Sequence, residues 1–179
     1  MLCSSGLRVV SVAVVTLFMA THGGGQTVAL VAGAGESKTI EVAGSGFDDL
    51  KNAIVHWKKT TPSGSIQQST EIVELDGDLK GRVLYHVTSV VDVVKGTLVN
   101  TGDQVFSGTI AGSSPAMIHD DQFRFEVNLA TGEEAGRVYL SDHITGPKAR
   151  CTLTVVGTGL NGDGNPTFDY RGKCTFRSQ

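Results

Sequence analysis

The stretch Gln122–Leu129 (QFRFEVNL) alternates apolar and polar side chains without a break from Phe123 onward. Phe123, Phe125, Val127 and Leu129 fall on one side, Arg124, Glu126 and Asn128 on the other. That two-residue period belongs to a strand with one buried face. The pattern recurs. CTLTVV puts Cys151, Leu153 and Val155 inward and Thr152 and Thr154 outward, and RVYLSDHI puts Val138, Leu140 and Ile144 on one side, with Asp142 interrupting the apolar face. Further strands are expected at Thr39–Ala43, Ala53–Lys58, Thr70–Leu75, Arg82–Thr88, Val90–Asn100, Gln104–Ile110 and Thr167–Phe176, about ten in all. Between them, LDGDLKG and NGDGNP carry Asp-Gly hairpin signals, and NTGD and ATGEEAG place glycine where positive φ is needed.

No 3.6-residue pattern extends over three turns, so an α/β fold is unexpected. One short helix competes with a strand at Phe47–Ile54, where Asp48, Asp49 and Leu50 could open a turn. Strands spaced about 8–12 residues apart suggest an antiparallel β-barrel, with a β-sandwich as the alternative. The barrel is preferred because several strands carry chemically interesting side chains on both faces. A chain of 179 residues, 40% hydrophobic and 18% charged, is long and apolar enough for one cored domain and too weakly charged for a disordered polyelectrolyte. Its net charge of −3 and lack of any Lys/Arg run argue against a nucleic-acid partner. The 23 glycines follow no G-X-Y period, which excludes collagen.

The first residues follow the order of a secretory signal: a polar start with Arg8, the apolar run Val9–Ala20, then the small polar THGGGQ. The apolar run has 12 residues, short of the ~20 a membrane-spanning helix needs. The expected organisation is therefore a signal peptide at 1–25, a flexible lead-in at 26–38 (or an edge strand at TVALVA) and a barrel domain at 39–179. The protein is expected to be secreted or periplasmic, with no transmembrane anchor after cleavage. Cleavage would remove Arg8 and Cys3, moving the net charge from −3 to −4 and leaving two cysteines. Such a pair in an exported domain reads as a disulfide, Cys151–Cys174.

Candidate chemistry is sparse. Asp142 shares the apolar face of its strand and could be an interior acid or base if unpaired, or a structural ion pair with Arg124, Arg137 or Arg150. His143 follows it. Asp92 interrupts four valines in VVDVV and invites the same reading. Tyr85-His86 and His56-Trp57 send aromatic and imidazole groups to opposite faces; Trp57, the single tryptophan, is expected in the core or at a ligand pocket. The ligand-contacting candidates are thus Trp57, Tyr85, Asp92, Asp142 and His143. After Pro115, His119-Asp120-Asp121 is expected in a loop, able to converge on a cation or serve as a base, but more simply solvated. LNGDGNPTFD places oxygen donors like a calcium loop, but Pro166 stands where glycine is required and no glutamate closes it. G-x-S-x-G, a P-loop, a dinucleotide fingerprint and H-E-x-x-H are all missing from the sequence. No metal or cofactor is expected.

The Gly-punctuated run VVKGTLVNTGDQVFSGTIAG (Val93–Gly112), then FRFEVNL, CTLTVVGTGLNGDG and FDYRG (Phe168–Gly172), resembles the allene oxide cyclase-like and dirigent-like small β-barrels over about residues 66–176. The resemblance implies a barrel. It carries over no active residue, because that group includes both cyclases and proteins that only bind small molecules. The preferred expectation is a barrel that binds a small, mostly apolar molecule. The alternatives are a barrel cyclase or isomerase using an interior carboxylate such as Asp92 or Asp142, and a structural surface or matrix β-sandwich. A cyclase would need those two carboxylates inside and within reach of each other; a structural sandwich would have a filled interior.

Overall fold

The computed structural model describes residues 37–177; the expected signal peptide and nearly all of the lead-in lie outside them. Eleven strands form: β1 (Ser37–Asp48), β2 (Ile54–Thr61), β3 (Gly64–Gly77), β4 (Leu79–Asp92), β5 (Thr97–Ile110), β6 (Ala116–Asp120), β7 (Arg124–Asn128), β8 (Glu134–Leu140), β9 (Asp142–Thr145), β10 (Ala149–Leu160) and β11 (Pro166–Arg177). Eight of them close an antiparallel ring in the order β1-β3-β4-β5-β7-β8-β10-β11, with β11 returning to β1. The fold is a closed eight-stranded β-barrel with three added strands, not a sandwich.

The added strands take over where ring strands stop. β3 pairs with β1 over Val73–Gly77 and with β2 over Gly64–Thr70. β5 pairs with β7 over Thr97–Thr101 and with β6 over Gln104–Gly108, and β9 pairs with β6.

Alternation sorts each ring strand into an inner and an outer row. Cys151, Leu153 and Val155 point inward, as the sequence pattern requires, with Val83, Tyr85 and Val87 on β4 and Val138 and Leu140 on β8. One end of the barrel is filled by Leu79, Phe106, Ile110 and Ile118, all 0% exposed. Burial of such side chains contributes about 1.5–3 kcal/mol each. Cys151 and Cys174 are direct register partners across β10 and β11, with Sγ atoms 1.99 Å apart, so the expected disulfide pair sits inside this core.

Glycines let aromatic rings lie flat against the inner wall. Side chains on Gly44 and Gly46 would collide with the rings of Tyr170 and Phe168, so their absence makes room for both. The Tyr170 hydroxyl accepts from Leu79 N at 2.7 Å and reaches the Asp76 and Leu79 carbonyls at 3.1 Å, tying β11 to the β3–β4 hairpin.

Several expectations need correction. The span Val90–Asn100 is not one strand but the β4–β5 hairpin. Asp92 Oδ1 accepts from Val94 N and Lys95 N at 3.1 and 3.0 Å and Gly96 supplies φ 67°, so the valine run turns; Val93 and Val94 are 64% and 82% exposed. NTGD lies within β5 rather than at a turn. Phe47–Ile54 holds only a 3-10 turn, Leu50–Asn52, between two strands. His119 and Asp120 belong to β6, not to a loop.

Candidate functional site

At the end of the barrel opposite the packed core, inward positions carry acids. On β1 the inner row runs Val42, Gly44, Gly46, Asp48. On β3 it runs Ser69, Glu71, Val73, and Asp48 pairs with Val73, which makes Glu71 its diagonal neighbour. Glu134 opens the inner row of β8. Between Glu134 and β1, the inward positions of the two intervening strands at this level are Gly157 and Phe168, and Phe168 pairs with Gly46. The Glu134 side chain lies over Gly157 and the Phe168 ring over Gly46, and the charge of Glu134 reaches Asp48.

Tyr85, on β4, is the direct register partner of Glu71 and is 4% exposed. Its ring stands 4.7 Å from that of Phe123 and 6.4 Å from that of Phe125, centroid to centroid. Asn100, on the inner row of β5, has a buried Oδ1 with no hydrogen-bond partner. Below the acids is a cavity of about 50 Å³, walled by Val73, Val83, Phe125, Leu153, Val155 and Phe168 and bordered by Asp48 and Glu134. That is room for a few waters or the head of a small molecule. It is well below the roughly 300–1,000 Å³ of a pocket that swallows a drug-sized ligand.

The electrostatics are one-sided. Burial, then the charges of Glu134 and Glu71, raise the Asp48 carboxyl from 3.8 to about 7. Burial raises Glu134 as well. The Tyr85 phenol is pushed well above its ordinary value, by burial first and then by Asp48, Glu71 and Glu134, with the Asn100 amide opposing. Among the described residues no Lys, Arg or His forms an ion pair with any of the three acids. Arg137, Arg150, Arg171 and Lys173 occupy the exposed, outward positions of β8, β10 and β11.

Of the five residues singled out as ligand contacts, Tyr85 alone lies in the barrel interior. Asp92 is the hairpin residue described above; the Lys95 backbone N–H, above other causes, holds its carboxyl below the usual range. Asp142 is exposed because the chain leaves the ring at Ser141, so the apolar face of Val138 and Leu140 is not continued; Ile144 is 51% exposed. The neighbour of Asp142 is His119, whose Nδ1 lies 3.6 Å away, and not an arginine. His143 is exposed, with Nε2 donating to the Gly146 carbonyl at 2.8 Å. Trp57 is 45% exposed, outside the barrel. A bulge between Val55 and Trp57 puts His56 and Trp57 on the same outer face, bonded to Thr70 at 2.7 Å and Gln68 at 2.8 Å.

No protein-family model, curated protein or solved structure matches the chain.

Asp120 is a fully buried acid of a different kind. Its Oδ2 accepts from Gln104 Nε2 at 2.9 Å and Tyr139 N at 2.8 Å, and its Oδ1 from Gln122 N at 2.7 Å. Three donors satisfy it, so it is structural. Among the described residues no group of three or more His, Cys, Asp or Glu is placed to hold a metal ion, and no helix is long and apolar enough to cross a membrane. The functional candidates that the sequence patterns did not isolate are Asp48, Glu71, Glu134 and Asn100. Glu71 carried one available signal, since it shares a face with Val73 and Leu75.

Proposed function

We propose that the protein binds a small, mostly apolar molecule at the acidic mouth of its barrel. The observation that carries this is the mostly apolar cavity that Asp48, Glu134 and Tyr85 help to line. Unfilled apolar space forfeits contacts on every wall, and buried carboxylates without partners cost free energy; a ligand that filled the one and engaged the other would recover both. The faint likeness to barrels that bind or cyclise small molecules is in keeping with this reading.

The test is native mass spectrometry of protein produced in an oxidising compartment and never refolded, alongside titration with an environment-sensitive apolar dye. A co-purifying mass of a few hundred daltons, or saturable dye binding that Val73→Phe abolishes, is the expected result. A clean apo mass together with dye binding unaffected by Val73→Phe overturns it.

One observation favours a second reading, an isomerase or cyclase. Asp48, with its pKa near 7 beside a buried phenol, is poised to exchange a proton at neutral pH. In that case the interior carboxylate is Asp48 rather than Asp92 or Asp142. Asp48→Asn would then cease to convert the co-purified molecule, whereas a pure binder converts it in neither form.

A further inference from the structure

We infer that the molecule taken up at the barrel mouth carries a protonated amine, which the acidic ring receives head-first. This rests on the binding reading above and narrows its ligand to a class.

The polar atoms around the mouth are almost all acceptors. Asp48, Glu71 and Glu134 contribute carboxylates from three different strands. Ser69 Oγ donates to Glu71 Oε1 at 2.6 Å, and that is the only side-chain donor hydrogen-bonded to any of the three acids among the described residues. Independently of the carboxylates, Asn100 Oδ1 is an acceptor, buried and unpaired, with its amide against the Tyr85 phenol. An orphaned carbonyl oxygen near carboxylates that form no ion pair among the described residues calls for a donor-rich, positively charged group. An ammonium has three donors and no acceptor, which suits a site with an excess of acceptors.

The surroundings fit the same group. The rings of Tyr85, Phe123 and Phe125 form a tilted and edge-to-face cluster, and aromatic faces attract cations. The cavity of about 50 Å³ admits an ammonium and its first methylene. The hydrocarbon body remains against the apolar wall and the rim. The protein's own cations cannot serve, because strand alternation holds Arg137, Arg150, Arg171 and Lys173 on the outside.

The test uses thermal-shift and calorimetric titration of the oxidised full-length protein with 2-phenylethylammonium and its neutral isostere, 2-phenylethanol. At pH 8 the amine should bind at least tenfold more tightly than the alcohol. At pH 5.5, where Asp48 holds its proton, amine affinity should drop tenfold or more while alcohol affinity stays level. Asp48→Asn, which removes a buried charge and should fold, is expected to erase both differences. Equal binding of amine and alcohol overturns the amine assignment and leaves the binding reading standing, as does dye binding with no response to either compound. A calcium chloride shift as large as that of the amine overturns the ligand class. Failure of amine, alcohol and dye together overturns both.

Discussion

Tyr139 N–H donates to Asp120 Oδ2 at 2.8 Å across a gap that no strand spans. The β7–β8 ladder ends at Arg124 and Arg137, so the next N–H of β8 on that side has lost its neighbour. The carboxylate of β6 stands in for it, and the same carboxylate oxygen also accepts from Gln104 on β5. One side chain thereby stitches the barrel wall where β7 is too short.

Asp120→Ala should therefore be costly. It leaves the buried Gln104 amide group and the part-buried Tyr139 and Gln122 backbone amides without their acceptor, and each lost hydrogen bond of this kind costs about 0.5–3 kcal/mol. A loss of roughly 3–5 kcal/mol in urea unfolding is expected, with Asp120→Asn losing less because one carbonyl oxygen remains. An unchanged midpoint for Asp120→Ala would show that the seam does not need it.

Asp48 sets the pH dependence. Its folded pKa is raised from 3.8 to about 7, so the native state holds its proton more tightly than the unfolded chain does. The associated stability is complete below about pH 4 and is lost as pH rises through about 7, on the order of 4 kcal/mol at most. Glu134, also raised, adds a term of the same sign. Wild-type protein should melt lower at pH 8 than at pH 5, and Asp48→Asn should flatten that slope. A mutant curve parallel to wild type from pH 4 to 8 would count against a buried, ionising Asp48.

The disulfide joins register partners 23 residues apart. A loop of that length corresponds to roughly 3 kcal/mol in the chain-entropy model. Because both residues are buried in the core, their reduction should require partial opening of β10 from β11. Mass analysis of the folded, oxidised protein should show no alkylation of Cys151 or Cys174, and adding reductant should lower its melting temperature. Labelling of either thiol without reductant would refute the bridge.

Gly44→Ala tests the aromatic lining. The added methyl would meet the Tyr170 hydroxyl and the Asp76 carbonyl, and overpacking of this kind typically costs about 1–3 kcal/mol. Gly162→Ala is the control, since nothing lies within 4 Å of its added carbon; it should be neutral or slightly stabilising. Equal effects of the two would mean that Tyr170 can move aside freely.

The barrel was legible where alternation ran unbroken: Phe123, Phe125 and Val127 turn inward, as do Cys151, Leu153 and Val155. It failed where a side chain, not the backbone pattern, made the turn. Asp92 bends four valines into a hairpin through two backbone N–H groups, and Ser141 ends one strand and lets Asp142 begin another. Leu129 fits the pattern yet is 43% exposed, because β7 stops at Asn128. The mouth was hidden for a different reason. Asp48, Glu71 and Glu134 stand on three strands far apart in sequence, none in an acidic run that marks a site, and only ring closure brings their rows together. Trp57 misled because β2 hangs outside the ring and is exposed on both faces from Ile54 to Thr60.

A closed ring leaves no backbone edge for another chain to join, but of the three strands added outside this one, β2 and β9 each pair on one side only among the described residues. β9 is only four residues long, too short to template much pairing. β2 has eight residues and, among the described residues, pairs only with β3; its first half exposes Ile54, Val55 and Trp57. Lys58 and Lys59 follow at once, and like charges on an edge repel a second copy trying to lie alongside. The charge that guards the β2 edge is therefore carried by two lysines outside the barrel, and neutralising them is expected to make β2 the first place for edge-to-edge pairing.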